Sequence, residues 1–159
     1  VIQRWAPHTP NCSMRLNELA AAIALPQLAS LEERNDAWRA IYGRLEAGVR
    51  VLPNLRVPRT LDEVVHAPTS FQFMADLPAE AIEQRLAVCA ERGVPIKWFG
   101  RPQATGFTSV YRHWGYVETR ALPKGDAVLA GLCDIRLPSD LTEDEVDTIV
   151  AVLRLAFDH

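Results

Sequence analysis

Lysine is almost missing from this chain: 159 residues contain only Lys97 and Lys124. A lysine nucleophile or Schiff base therefore has two candidates, and no lysine cluster exists to grip a membrane surface. Positive charge is short as a whole, with 17 Lys and Arg against 20 Asp and Glu and a net charge of −3. That leaves no basic stripe of the kind that neutralises phosphates, which argues against nucleic-acid binding. Cysteine is scarce too: Cys12, Cys89 and Cys133 are odd in number, far apart, and in no metal-ligand spacing. Free thiols in a reducing cytoplasm are the expectation. No run approaches the roughly 20 apolar residues that a membrane span requires. The opening "VIQRWAPHTP" has no charged segment leading into a hydrophobic one, so it does not read as a signal peptide. It starts on Val1, not Met, and reads as an internal cut.

What is present is ordinary globular material, 48% apolar and 23% charged, enough for one domain with its own core. Leu16, Leu19, Ile23, Leu28, Leu31, Trp38, Ile41 and Leu45 recur at helical spacing, which predicts one long helix over residues 15–47. Pro26 cannot donate its amide and crowds the preceding turn, so a kink or break is expected there. Gly48 is the expected left-handed cap. "APTSFQFMADLP" alternates like a strand, and "PAEAIEQRLAVCAERGV" reads as a helix burying Ile82, Leu86 and Cys89 before Gly93. "PIKWFG" is a second strand, residues 101–115 a loop, and a short helical turn then leads to a third strand near residues 134–137. The last helix opens with Thr142 and Glu145 as a capping box; Val146, Ile149, Val150, Leu153 and Phe157 form its buried stripe. The expected fold is α+β: a long N-terminal helix, then a small three-stranded sheet covered by helices.

Chemical signals are sparse. His8, His66, His113 and His159 lack metal-ligand spacing and are expected at the surface or in ordinary hydrogen bonds. There is no Gly-x-Ser-x-Gly elbow and no Walker loop. The acidic run "LTEDEVD" matches the dipole of a helix start better than it makes a catalytic pair. Lys97 beside Trp98 is either partly buried or, as the pattern favours, on a strand's solvent face with its stem over the indole. "KWFG" and "YRHWGY" bring aromatics and cations together. The mixture suits a polar ligand with a flat or sugar-like face, although an ordinary core with amphipathic side chains at its rim is the favoured explanation.

The order of the segments carries more. "NCSMRLNELAAAIALPQLASL" resembles a segment of the DegT/StrS-type sugar aminotransferases, matching at Arg15, Glu18, Ala21, Ala22, Gln27, Leu28 and Leu31. "RNDAWRAIYGRL", "AERGV" and "LPSDLTEDEVDTIVAVL" follow in the family's order, so the resemblance runs from Asn11 almost to the end. It implies the small C-terminal domain of a fold type I enzyme that uses pyridoxal phosphate. Residues 1–15 would be a lead-in from a large domain, 16–47 a linking helix, and 48–159 the domain proper. It further implies a homodimer that moves an amino group from an amino-acid donor, usually glutamate, onto a keto-sugar that is commonly nucleotide-linked. Ser13 stands where the family has an asparagine reaching the cofactor phosphate; Asn11 is the alternative contact, and Arg15 would hold local structure. The family's Ser-x-Ser-x-x-Lys-like segment is absent from this sequence. The coenzyme is therefore not expected to bind this chain without its missing N-terminal partner domain. "PIKWFGRPQATGFTSVYRHW" replaces the family's aromatic-Pro-His region, and Lys97, Trp98 and His113 are the expected substrate wall. The alternative is a free-standing α+β binding or regulatory module, or a non-catalytic subunit; an assembly module pairing through the long helix is a third reading.

Overall fold

Asn17 starts the first helix. Its side-chain oxygen accepts from the Ala20 amide at 2.7 Å, satisfying one of the donors that a helix start leaves open. The computed structural model describes residues 17–105 and 110–158, and helix α1 runs Glu18–Leu28. Pro26 lies inside α1, and the interruption comes just after it, before α2 spans Leu31–Val49. At the join the Gln27 carbonyl accepts from Arg34 Nη2 at 2.9 Å and from Ser30 Oγ at 3.3 Å. Side chains thus take the place of the next helical turn. The single predicted helix is two helices, broken a few residues later than the proline suggested.

Gly48 is not a left-handed cap. Helix α2 continues through it, and among the described residues Gly93 is the glycine with positive φ, at 80°, just beyond the helix Ala79–Glu91. A Cβ on Gly48 would stand 2.6 Å from Val150 Cγ1. The missing side chain lets the last helix approach α2, which is a packing role and not a backbone one.

The sheet has four strands, all antiparallel, in the order β1-β2-β4-β3. These are β1 Leu55–Arg56, β2 Ser70–Ala75, β3 Lys97–Trp98 and β4 Leu132–Arg136. Sequence periodicity found three of them; β1 is two residues long, too short for an alternation to register. Helix α3 is Ala79–Glu91, α4 Pro123–Gly131 and α5 Glu143–Phe157, with a 3-10 turn at Tyr111–His113.

Alternation along β2 and β4 sends Phe71, Phe73, Cys133 and Ile135 to one face, where α2, α3 and α5 cover them. Phe71, Phe73, Phe157, Leu45, Ile82 and Leu153 are fully buried, each worth about 1.5–3 kcal/mol over exposure. The Thr142 capping box is formed: Glu145 N donates to Thr142 Oγ1 at 3.3 Å while Glu145 Oε2 accepts from the Thr142 amide at 2.8 Å. The opposite face of the sheet carries Ser70, Gln72, Met74, Asp134, Arg136 and Lys97, and none of these belongs to the main core.

Candidate functional site

Strand β3 splits the two residues singled out at its centre. Trp98 faces the core, 3% exposed, opposite Cys133. Its indole N–H donates to the Ala130 carbonyl at 2.8 Å, and the Arg101 guanidinium lies 5.9 Å from its ring centre. The indole therefore anchors β3 to the end of α4, with its polar atom engaged. Lys97 points to the other face, half-buried, directly across from Asp134.

Asp134 is the buried charged residue of the described structure, 6% exposed. It accepts from Gln72 Nε2 at 3.4 Å. Register places Gln72, Asp134 and Lys97 in one row across β2, β4 and β3. A carboxylate in this position needs hydrogen-bonding or charged neighbours; Gln72 donates to it, and Lys97 is its register partner on β3. Sequence reading selected Lys97 but passed over Gln72 and Asp134; their shared parity with Lys97 becomes visible only once the strands are in register.

His113 closes the 3-10 turn that follows Val110. Its Nδ1 accepts from the Val110 amide at 3.1 Å, so Nε2 carries the proton and donates to the Pro102 carbonyl at 3.2 Å. Nδ1 thus closes the turn on itself, and Nε2 ties it to Pro102 in the segment that leaves β3. The turn is also held from α4. Tyr111 Oη donates to both Asp126 oxygens, at 2.8 and 3.0 Å, and Arg112 pairs with the same carboxylate. Beyond it, Trp114 and Tyr116 stack with ring centres 6.0 Å apart and planes 10° from parallel. Asp126, which no motif marked, is the residue that fixes this aromatic turn to the fold.

Asn11, Ser13 and Arg15 lie outside the described residues, as do Cys12, His8 and His159. Among the described residues, no group of three or more His, Cys, Asp or Glu could hold a metal ion. Burial pushes the Cys89 thiol up to about 11 and the Cys133 thiol up to about 12, so both are protonated and unreactive near neutrality. The described residues do not by themselves fit pyridoxal phosphate. Lys97 stands on an open sheet face and Lys124 is exposed at the start of α4. Neither lines the cavities beside Tyr42, between α2 and α5, or below α4. The described residues bring together a polar row and a pinned aromatic turn, and among them no nucleophile is hydrogen-bonded to a base.

Solved structures share this fold. An aminotransferase TlmJ from Streptoalloteichus hindustanus matches with a TM-score of 0.72 and 22% identity, over 89% of this chain and 36% of its own. A DegT DnrJ EryC1 StrS aminotransferase from Brucella abortus matches at 0.68 and 20% identity, over 91% of this chain and 37% of its own. The sugar aminotransferase CalS13 from Micromonospora echinospora matches at 0.67 and 16% identity, over 97% of this chain and 43% of its own. The chain thus spans well under half the length of each of these proteins. The pattern of the DegT/DnrJ/EryC1/StrS aminotransferase family matches residues 2–154, nearly the whole sequence, and the chain belongs to that family.

Proposed function

We propose that this chain is the small-domain portion of a pyridoxal-phosphate-dependent aminotransferase acting on a keto-sugar, with an amino acid such as glutamate as donor. The observation that carries the reading is the family match over residues 2–154, joined to a fold shared with proteins more than twice as long. In this reading residues 1–15 lead in from a large domain, 16–47 link to it, and 48–159 form the domain proper. Ser13 or Asn11 contacts the cofactor phosphate across a homodimer interface, with Arg15 holding the local backbone. Lys97 offers its ammonium to the substrate from the open sheet face, His113 holds the aromatic turn beside it, and Trp98 fixes the strand that carries Lys97.

Pyridoxal phosphate, in the complete enzyme, supplies the electron sink for moving the amino group. The reactive lysine would come from protein outside this chain, since neither Lys97 nor Lys124 stands in a Ser-x-Ser-x-x-Lys-like segment. The chain alone is then inactive. The free Cys89 and Cys133 support a cytoplasmic location in this reading. Among the described residues no helix is long and apolar enough to cross a membrane.

The test has two arms. The complete gene product should contain a Ser-x-Ser-x-x-Lys-like segment before residue 11 and transaminate a keto-sugar with glutamate. The 159-residue chain, mixed with pyridoxal phosphate, should give no stoichiometric cofactor absorption band. A band lost in Lys97→Ala would place the reactive lysine in this domain and overturn the division of labour.

A further inference from the structure

A cavity of about 280 Å³ opens between α2, the segment of residues 58–69 and the helix-free face of β2. Its polar lining includes Tyr42, Arg59, Thr60, His66, Ser70 and Gln72, and no lining residue is acidic. In a chain of net charge −3, a concavity lined by donors and free of carboxylates favours an anion. The walls are held in place. Arg39 Nη1 donates to the His66 carbonyl at 3.3 Å, while the Tyr42 ring meets the His66 ring edge-on at 4.9 Å and that of fully buried Phe71 at 5.1 Å. Pro58 and Pro68 fix the backbone on either side.

The nearby carboxylates are engaged or exchangeable. Glu46, which acts on Tyr42, is paired with Arg50 at 2.6 Å. Asp134 accepts one amide hydrogen of Gln72 at 3.4 Å, leaving Gln72 a second donor. Asp62 lies 3.6 Å from Arg59, both side chains largely exposed, a pair weak enough for a bound anion to replace.

We propose that this cavity is a binding site for a small oxyanion, a phosphate or carboxylate group. Arg59 supplies the charge, and Thr60, Ser70, Gln72 and Tyr42 supply hydrogen bonds. Lys97 and His113 do not line the cavity, which meets their side of the sheet at Gln72, and the proposal does not depend on the aminotransferase reading.

The experiment follows the His66 ring resonance of the 159-residue chain by NMR at fixed pH. Inorganic phosphate, glutarate, and sodium chloride at matched ionic strength are titrated separately. A saturable shift at His66 and not at His113 is expected with phosphate or with glutarate, and the arm that saturates identifies the source of the oxyanion. Arg59→Met, at a position whose side chain is 79% exposed and so compatible with folding, should weaken the binding about tenfold or more. Thr60→Val should weaken it less. Shifts that follow sodium chloride alone, that never saturate, or that saturate unchanged in both variants overturn the proposal.

Discussion

Gly48 sits inside a helix, where glycine costs about 1 kcal/mol relative to alanine. By propensity alone Gly48→Ala should stabilise the chain. The close approach of Val150, 2.6 Å from where the Cβ would stand, reverses that sign: overpacking costs about 1–3 kcal/mol. Gly48→Ala should therefore lower the urea midpoint, and Val150→Ala in the same chain should recover part of the loss. A Gly48→Ala variant more stable than its parent would show that α2 and α5 are less tightly packed than described. Trp98 makes a related point. "PIKWFG" allowed its ring to face a ligand or the core, and the Ala130 carbonyl at 2.8 Å decides for the core. A neighbour 32 residues away cannot be read from composition.

Local signals placed the elements where each carries its own start and stop. Helix α5 was legible almost in full, since Thr142, Glu145 and the apolar stripe all lie within a few turns of one another. Thr142→Ala should cost about 1 kcal/mol, measured by chemical denaturation, because the Glu145 amide then loses its side-chain acceptor. Helix α1 shows the converse. Its apolar residues kept the helical spacing of a buried face, yet Leu19 is 71%, Ile23 55% and Leu28 62% exposed. Exposed apolar residues of this kind suit a partner surface, which in the proposed function is the large domain or a second copy. Substituting Leu19 and Ile23 by Gln should change the stability of this chain by less than about 0.5 kcal/mol. The same pair of changes should weaken association with the large domain, or with a second copy, by sedimentation. A large loss of stability in the isolated chain would mean that α1 already packs against the domain.

For the whole molecule, stability should fall at both ends of the pH scale, by different groups. Arg44 clamps α2 to α5 through Asp147 at 2.6 Å and Glu143 at 2.8 Å. Its guanidinium holds the Asp147 carboxyl below the usual 3.8, and the Thr142 backbone amide holds Glu145 below 4.5. These groups bind fewer protons when folded, so their contribution is present above those values and lost as pH falls through the lower folded ones. All are exposed, and the acid effect is expected to be modest. The alkaline side rests on burial. The Cys133 thiol is raised from 9.0 to about 12 and Cys89 from 9.0 to about 11. Their neutral forms favour the fold fully below pH 9, and that advantage disappears as pH rises through the folded values. Urea midpoints measured across pH should fall above 9, and Cys133→Ala should flatten that limb. A profile unchanged by the substitution would assign the alkaline loss to other groups.

By itself the sequence determined the class of fold, the capped last helix, three of the four strands and the family, because caps, turns and periodicities act between residues close in the chain. It also marked Lys97 and His113 as chemically unusual, though not what surrounds them. Only the tertiary structure decided that β1 pairs with β2, that Gly48 serves a helix contact, and that Gln72 and Asp134 share a row with Lys97. It alone joined Tyr42 to His66, and Asp126 to Tyr111. Those are contacts between distant segments, and a one-residue change of strand register would have sent every one of the sheet residues to the other face. Neighbours that the chain brings together by folding leave no local mark on it.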